Sequence, residues 1–305
     1  MSLLDFIAKM GERSPRRNVQ EVSDGLKRRI APKKAHGLSV YTQDWDILIL
    51  LDTCRPDVFE EYAIPFLNQE GIEVSSFETV TSNASQSREW MERTFIDDYC
   101  LTVSQTAYVT ANVYTAKVFD GMCGRHPFDE LVELWRTDWD DTHATVRAEN
   151  VVQAALPYVG ADRPSEKTIV HFMQPHFPSV ADPITEQQTP IQPDYTGQSV
   201  TFAWNKLQDR EISEERVRKS YNENLLYALE EVIELIHQAD GKVVLSSDHG
   251  QAFGEWGVYG HPPSTRTKEV LEVPWAVVKE RDSSPESDAN VEEGVDEKLA
   301  ALGYK

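Results

Sequence analysis

The chain has 305 residues, 40% hydrophobic and 27% charged, enough for one large globular domain and too apolar for a disordered chain. Fifty-one acidic residues oppose 30 basic ones, a net charge of −21, which excludes a nucleic-acid duplex as partner for want of countercharge. No apolar run reaches the roughly 18–20 residues of a membrane span and no signal-peptide pattern opens the chain, so a cytoplasmic location is expected. So acidic a surface predicts a protein adapted to molar salt, as in halophilic archaea, where screening removes its self-repulsion.

Residues 1–43 read as a basic N-terminal segment. Residues 1–36 carry a net +5, leaving −26 for the rest, and Leu3, Leu4, Ile7 and Met10 recur at helical spacing. That head suits peripheral contact with an anionic membrane, at the inner face, or docking on the acidic body. Residues 44–280 then alternate apolar runs with amphipathic ones. Strands are expected at 46–51 (DILILL), 106–111, 168–173, 242–247 and 274–278. Helices are expected at 88–95, 128–135, 145–156 and 221–239, the last with Leu225, Leu226, Leu229, Val232, Ile233 and Ile236 on one stripe. This alternation predicts a three-layer α/β sandwich, a mainly parallel central sheet covered by helices on both faces. Residues 179–205, rich in Pro, Thr and Gln, read as a functional loop or lid, and 281–305 as an acidic connector with a short closing segment. Cys54, Cys100 and Cys123 lack metal-ligand spacing and suit a reducing compartment.

Ligands of α/β sheets gather at the carboxyl ends of strands. There the expected strands deliver Asp52 (LLDTCRPD), His171 and His176 (VHFMQPH), then Asp248 and His249 (SSDHG), with His261 following in YGHPP. Carboxylates mixed with imidazoles suit zinc, manganese or iron and are too nitrogen-rich for calcium.

SSDHGQAFGEWGVYGHPP resembles the C-terminal metal signature of the alkaline phosphatase superfamily, its sulfatase-like and phosphoethanolamine-transferase-like branches above all. VHFMQPHFP, DILILLDTCRPD and the closing KLAALGY resemble further segments of that group, over about residues 44–305. The resemblance implies an alkaline-phosphatase-like fold with one or two divalent metal ions, zinc or manganese, per chain. Asp52, Asp248 and His249 would hold the metal on the nucleophile side. His176 and His261 would hold a second metal or hydrogen-bond phosphate oxygens. His171, Arg55 and Asn112 would support the site or line the substrate pocket, Arg55 having ion pairing with Asp57 as its other reading. The nucleophile is expected where a helix begins after TVTSNASQ. Ser87 stands first there, Ser85 second and Ser82 third, with an N-cap as the alternative role for Ser87. The implied function is a metal-dependent hydrolase or transferase acting on a small-molecule or a lipid- or glycan-linked phosphate (or sulfate) ester. Cys54-Arg55-Pro56-Asp57-Val58 falls short of the Cys/Ser-x-Pro-x-Arg segment that sulfatases convert to formylglycine. The alternative is a non-catalytic protein of the same fold that binds anionic glycans or lipids in surface-polymer assembly.

Overall fold

The computed structural model describes residues 39–119, 126–184 and 201–281, with residues 23, 26, 27, 30 and 37. The basic head, the acidic connector and Cys123 otherwise lie outside the described residues, as do 185–200 of the expected lid.

Among the described residues, seven strands form one sheet: β1 (Ile47–Leu51), β2 (Ser76–Thr81), β3 (Thr106–Thr110), β4 (Glu130–Glu133), β5 (Lys167–Phe172), β6 (Val243–Ser246) and β7 (Glu272–Lys279). Their spatial order is β2-β7-β6-β1-β5-β3-β4. All run parallel except β7, which is antiparallel to both β2 and β6. The helical layers are built from α1 (residues 56–69, π-helical at Phe59–Ala63), α2 (Ser87–Thr94), α3 (Ala148–Ala155), α4 (Thr201–Gln208) and α5 (Glu214–Gln238).

Central β1 shows why the chain folds in three layers. All five of its residues are buried, and they divide by parity. Ile47, Ile49 and Leu51 join the core with Leu225, Leu229 and Val232 of α5, whereas Leu48 and Leu50 pack with Trp45, Trp90 and Tyr108 on the other face. A strand with period-two side chains and two apolar faces can only be satisfied by helices on both sides. Among the described residues no helix is long and apolar enough to cross a membrane.

Three expectations are corrected. Residues 128–135 are strand β4 followed by the 3-10 turn Leu134–Arg136, where a helix was expected. Phe128, Leu131, Leu134 and Trp135 imitate a helical stripe, but parallel pairing of Glu130–Glu133 onto β3 supplies the backbone partners instead. The 221–239 helix begins seven residues earlier, at Glu214, where the Ser213 hydroxyl accepts from the Arg216 N–H as an N-cap. The expected lid closes in helix α4 from Thr201 onward.

Candidate active site

Register assembles the site. Leu50 pairs with His171 on one side and Ser246 on the other, so the residues just past β1 and β6, Asp52 and Asp248, emerge beside the imidazole of His171. Asp52, His171 and Asp248 are all buried, and one ligand atom of each lies within 4.8 Å of the other two. Thr53 turns the chain at φ 68°, a costly conformation for a β-branched residue, and its N–H donates to Asp248 Oδ1 at 3.4 Å. Tyr221 Oη donates to the Thr53 carbonyl at 2.6 Å, which helps hold that turn in place.

The polar inventory points at a cation. Asp52 Oδ2 accepts from Ser87 Oγ and from Asn112 Nδ2, both at 3.2 Å, but its Oδ1 has no hydrogen-bond partner. Asp248 Oδ1 accepts from the His249 N–H at 2.9 Å, while its Oδ2 is unpartnered. His171 Nδ1 meets Tyr108 Oη at 2.8 Å and leaves Nε2 unpartnered, 3.5 Å from Asp248 Oδ2. His249 Nδ1 lies 3.0 Å from the Gly250 carbonyl, which can only accept, so Nδ1 carries a proton and Nε2 is the nitrogen turned toward the two aspartates. That Nε2 is 3.6 Å from Asp52 Oδ1 and 3.4 Å from Asp248 Oδ2. Burial, and then the charge of Asp248, hold the Asp52 carboxyl well above the usual carboxylate range. Asp248 goes the other way: burial opposes ionisation, but the His249 and His171 imidazoles pull its carboxyl down. Two carboxylates within 4.8 Å repel by roughly 3–4 kcal/mol at an effective dielectric near 20. Converging orphaned oxygens and imidazole lone pairs fit a divalent cation, which would satisfy all of them.

A second imidazole group adjoins the first. His176 Nε2 lies 3.0 Å from His261 Nε2, and the His261 ring stacks on His249 at 4.5 Å between centroids. Burial, then the neighbouring His249, pushes the His176 imidazole down to about 4, and burial likewise holds His261 well below its usual value. Both are neutral near pH 7.

Of the three serines, Ser87 is the first residue of α2, buried, with Oγ 3.2 Å from Asp52 Oδ2 and 3.4 Å from His249 Nε2. Ser85 is committed elsewhere: its N–H and Oγ both donate to Glu89. Ser82 Oγ donates to the Asp248 carbonyl. Arg55, read as a substrate contact or as the ion-pair partner of Asp57, takes the second role: it is bidentate to Asp57 at 2.7 and 2.8 Å and reaches Glu255 and the Gln251 carbonyl, so its guanidinium is occupied in bracing the site. Asn112, expected at substrate, donates to Asp52 instead. His171, expected behind the ligands or at substrate, turns its free nitrogen into the carboxylate group.

Sequence reasoning missed Thr53, Tyr108, Ser247 and Glu89. Ser247 Oγ accepts from the Cys54 N–H and donates to the His249 carbonyl, tying the turns after Asp52 and Asp248 together. Gly250 was quoted only as part of a motif, and its reason is steric: a Cβ there would lie 2.4 Å from the Glu269 carbonyl oxygen.

The family description of sulfatases matches residues 89–293, two thirds of the chain. The chain belongs to the sulfatase family. It is an enzyme of the alkaline phosphatase superfamily. The matched span of this sulfatase-family chain includes Asn112, His171, His176, Asp248, His249 and His261; Asp52 and Ser87 precede it. Its fold is similar to the soluble domain of lipooligosaccharide phosphoethanolamine transferase A from Neisseria meningitidis, at TM-score 0.50 and 16% identity over 82% of this chain and 80% of that one. Lower scores relate it to the periplasmic domain of phosphoethanolamine transferase EptC from Campylobacter jejuni (0.48, 16% identity, 81% of each chain). A zinc complex of the EptC periplasmic domain from Escherichia coli gives 0.49, at 14% identity over 87% and 81% of the two chains. At these identities the likeness concerns the fold. No curated protein matches the chain by sequence.

Proposed function

We propose that this sulfatase-family enzyme cleaves or transfers a phosphate ester with Ser87 as nucleophile. The observation that carries this reading is the position of Ser87 Oγ at the mouth of α2, hydrogen-bonded to Asp52 and 3.4 Å from His249 Nε2. Helix amides there favour an anionic phosphate in front of the hydroxyl. Asp52, His171, Asp248 and His249 would hold one divalent ion, zinc or manganese. When bound, that ion supplies charge stabilisation to the phosphoryl oxygens.

The protein's own residues do the rest. Asp52 Oδ2 orients the Ser87 hydroxyl and accepts its proton as the oxygen–phosphorus bond forms and the ester oxygen departs. Neutral His176 and His261 offer ring nitrogens to phosphoryl oxygens, without a fixed charge that would trap a phosphate product. Release of the group to water makes a hydrolase; release to an acceptor alcohol makes a transferase. The Neisseria neighbour is by name a phosphoethanolamine transferase, which favours a lipid- or glycan-linked phosphate as donor or acceptor. Phosphate is preferred to sulfate because Ser87-Arg88-Glu89 lacks the proline of the formylglycine segment.

Hydrolysis of 4-nitrophenyl phosphate, its diester and 4-nitrophenyl sulfate by zinc- or manganese-loaded protein tests the reading. Activity on a phosphate ester, lost in Ser87→Ala, supports it. Equal activity of Ser87→Ala and wild type, or turnover of the sulfate alone, overturns it.

A further inference from the structure

Glu89 lies in the first turn of α2, two residues beyond the serine assigned as nucleophile. Its side chain is only 13% exposed, and its two oxygens serve two different loops. Oε2 accepts from the N–H and Oγ of Ser85 at 3.2 and 2.9 Å, closing the turn that leads into Ser87. Oε1 accepts from the N–H and Oγ of Ser264 at 3.1 and 3.3 Å, in the turn that follows His261. Ser264 stands three residues past His261, after Pro262 and Pro263, and holds φ at +59°, a strained value for a non-glycine residue. The Pro262 carbonyl accepts from the N–H and Oγ of Thr265, so the turn from His261 onward is stiff. A displacement of Ser264 therefore reaches the His261 ring, which touches both His249 and His176.

We propose that Glu89 is a positioning residue that fixes the distance between the nucleophile loop, Ser85–Ser87, and the imidazole pair of His261 and His176. The proposal rests on the phosphoester reading of the site and adds to it a device that sets the two sides of the cleft against each other. A carboxylate is required because it accepts from both loops at once; an amide nitrogen cannot accept. Misplacement of a reacting group by about 1 Å costs on the order of 100-fold in rate. The loss should fall on kcat, since Glu89 does not touch substrate.

The experiment combines kinetics with histidine-labelled NMR on the full chain. With 4-nitrophenyl phosphate, Glu89→Gln should lower kcat about tenfold and Glu89→Ala about 100-fold, with KM changed less than about twofold and bound metal unchanged. Ser264→Ala should lower kcat in the wild-type background and add nothing in Glu89→Ala. Glu92→Gln, which alters the exposed pair with Arg88 on the same helix, should leave kcat as it is. In the ring-carbon spectrum, Glu89→Gln should shift His261 and His176 while His143 and His237 stay in place. This readout holds whatever the enzyme's substrate. Unmoved His261 and His176 signals, a wild-type kcat in Glu89→Ala with only a lowered Tm, loss of metal in that variant, or additive effects with Ser264→Ala would each overturn the proposal. Loss of activity in Ser87→Ala beside a wild-type Glu89→Ala sinks this proposal and leaves the phosphoester reading standing. An active Ser87→Ala does the reverse if His261 still moves.

Discussion

The two ends of β1 carry aspartates in opposite circumstances. Before the strand, Asp46 accepts from Arg281 Nε at 2.5 Å and from the Lys242 N–H at 2.7 Å, and Asp44 meets Arg281 at 2.8 Å and Lys242 Nζ at 3.3 Å. After the strand, Asp52 and Asp248 have no Arg or Lys partner among the described residues, and each keeps an oxygen with no hydrogen bond. The first pair sits partly in solvent, where isolated charges cost little; the second is almost wholly buried, where they cost several kcal/mol. A fold keeps the costly arrangement where function repays it, so the unmatched end is where a ligand belongs.

The sharpest way to break this contrast is to remove a group from the buried end. Ser87→Ala should lower phosphate-ester turnover by about 1,000-fold or more, with elemental analysis still showing bound metal. Asp248→Asn should lose turnover and metal together. If the asparagine variant kept its metal, the buried carboxylates would not be its ligands. Tyr108→Phe is subtler, since the tyrosine hydroxyl meets His171 Nδ1 on the side of the ring away from the carboxylates. It should weaken metal affinity about 10–100-fold, read by competition with a chromogenic chelator.

At the solvated end the effects are smaller and depend on salt and pH. Thermal unfolding followed from 0.05 to 3 M KCl should show a rising Tm, because the −21 net charge is screened. A flat profile would remove the case for a salt-adapted surface. Arg281→Ala should cost about 1 kcal/mol or less, and less again in 3 M KCl. Its pH signature follows from direction. Arg281 contacts and, against the burial of Asp46, the Lys242 hydrogen bond hold both carboxyls below the usual carboxylate value. Their contribution is therefore complete above about pH 4 and fades as pH falls through the lowered folded values, a step that urea unfolding should find reduced in Arg281→Ala.

Asp52 and the Asp248-His249-Gly250 run were legible in the sequence because an apolar run that ends at an acid, directly at Asp52 and after two serines at Asp248, marks both a buried strand and its ligand end. Ser87 was legible as the residue at a helix start. The partners that matter to these groups were not. Tyr108 and His171 lie on different strands, and only the β3–β5 register, with Thr110 opposite His171, brings the ring and hydroxyl together. The pairing of Arg55 with Asp57 was legible from their spacing, but its second partner, Glu255, stands 200 residues away and was not. Strand β2 escaped notice for a physical reason: SFETVT is half exposed at the sheet edge and has no continuous apolar face. β7 was foreseen as a strand, but a strand's direction leaves no mark on its own composition.

That reversed strand has a consequence for how the enzyme comes into being. β2, which leads into the Ser85–Ser87 loop, has β7 as its one neighbour in the sheet among the described residues, and β7 in turn joins it to β6 and Asp248. β7 is also the last of the seven strands to be synthesised. At about 5–20 residues per second, close to 200 residues and some tens of seconds separate emergence of Ser87 from emergence of the strand that aligns it. Until then a ribosome-bound chain would hold Ser87 and every aspartate and histidine of the candidate site without their arrangement.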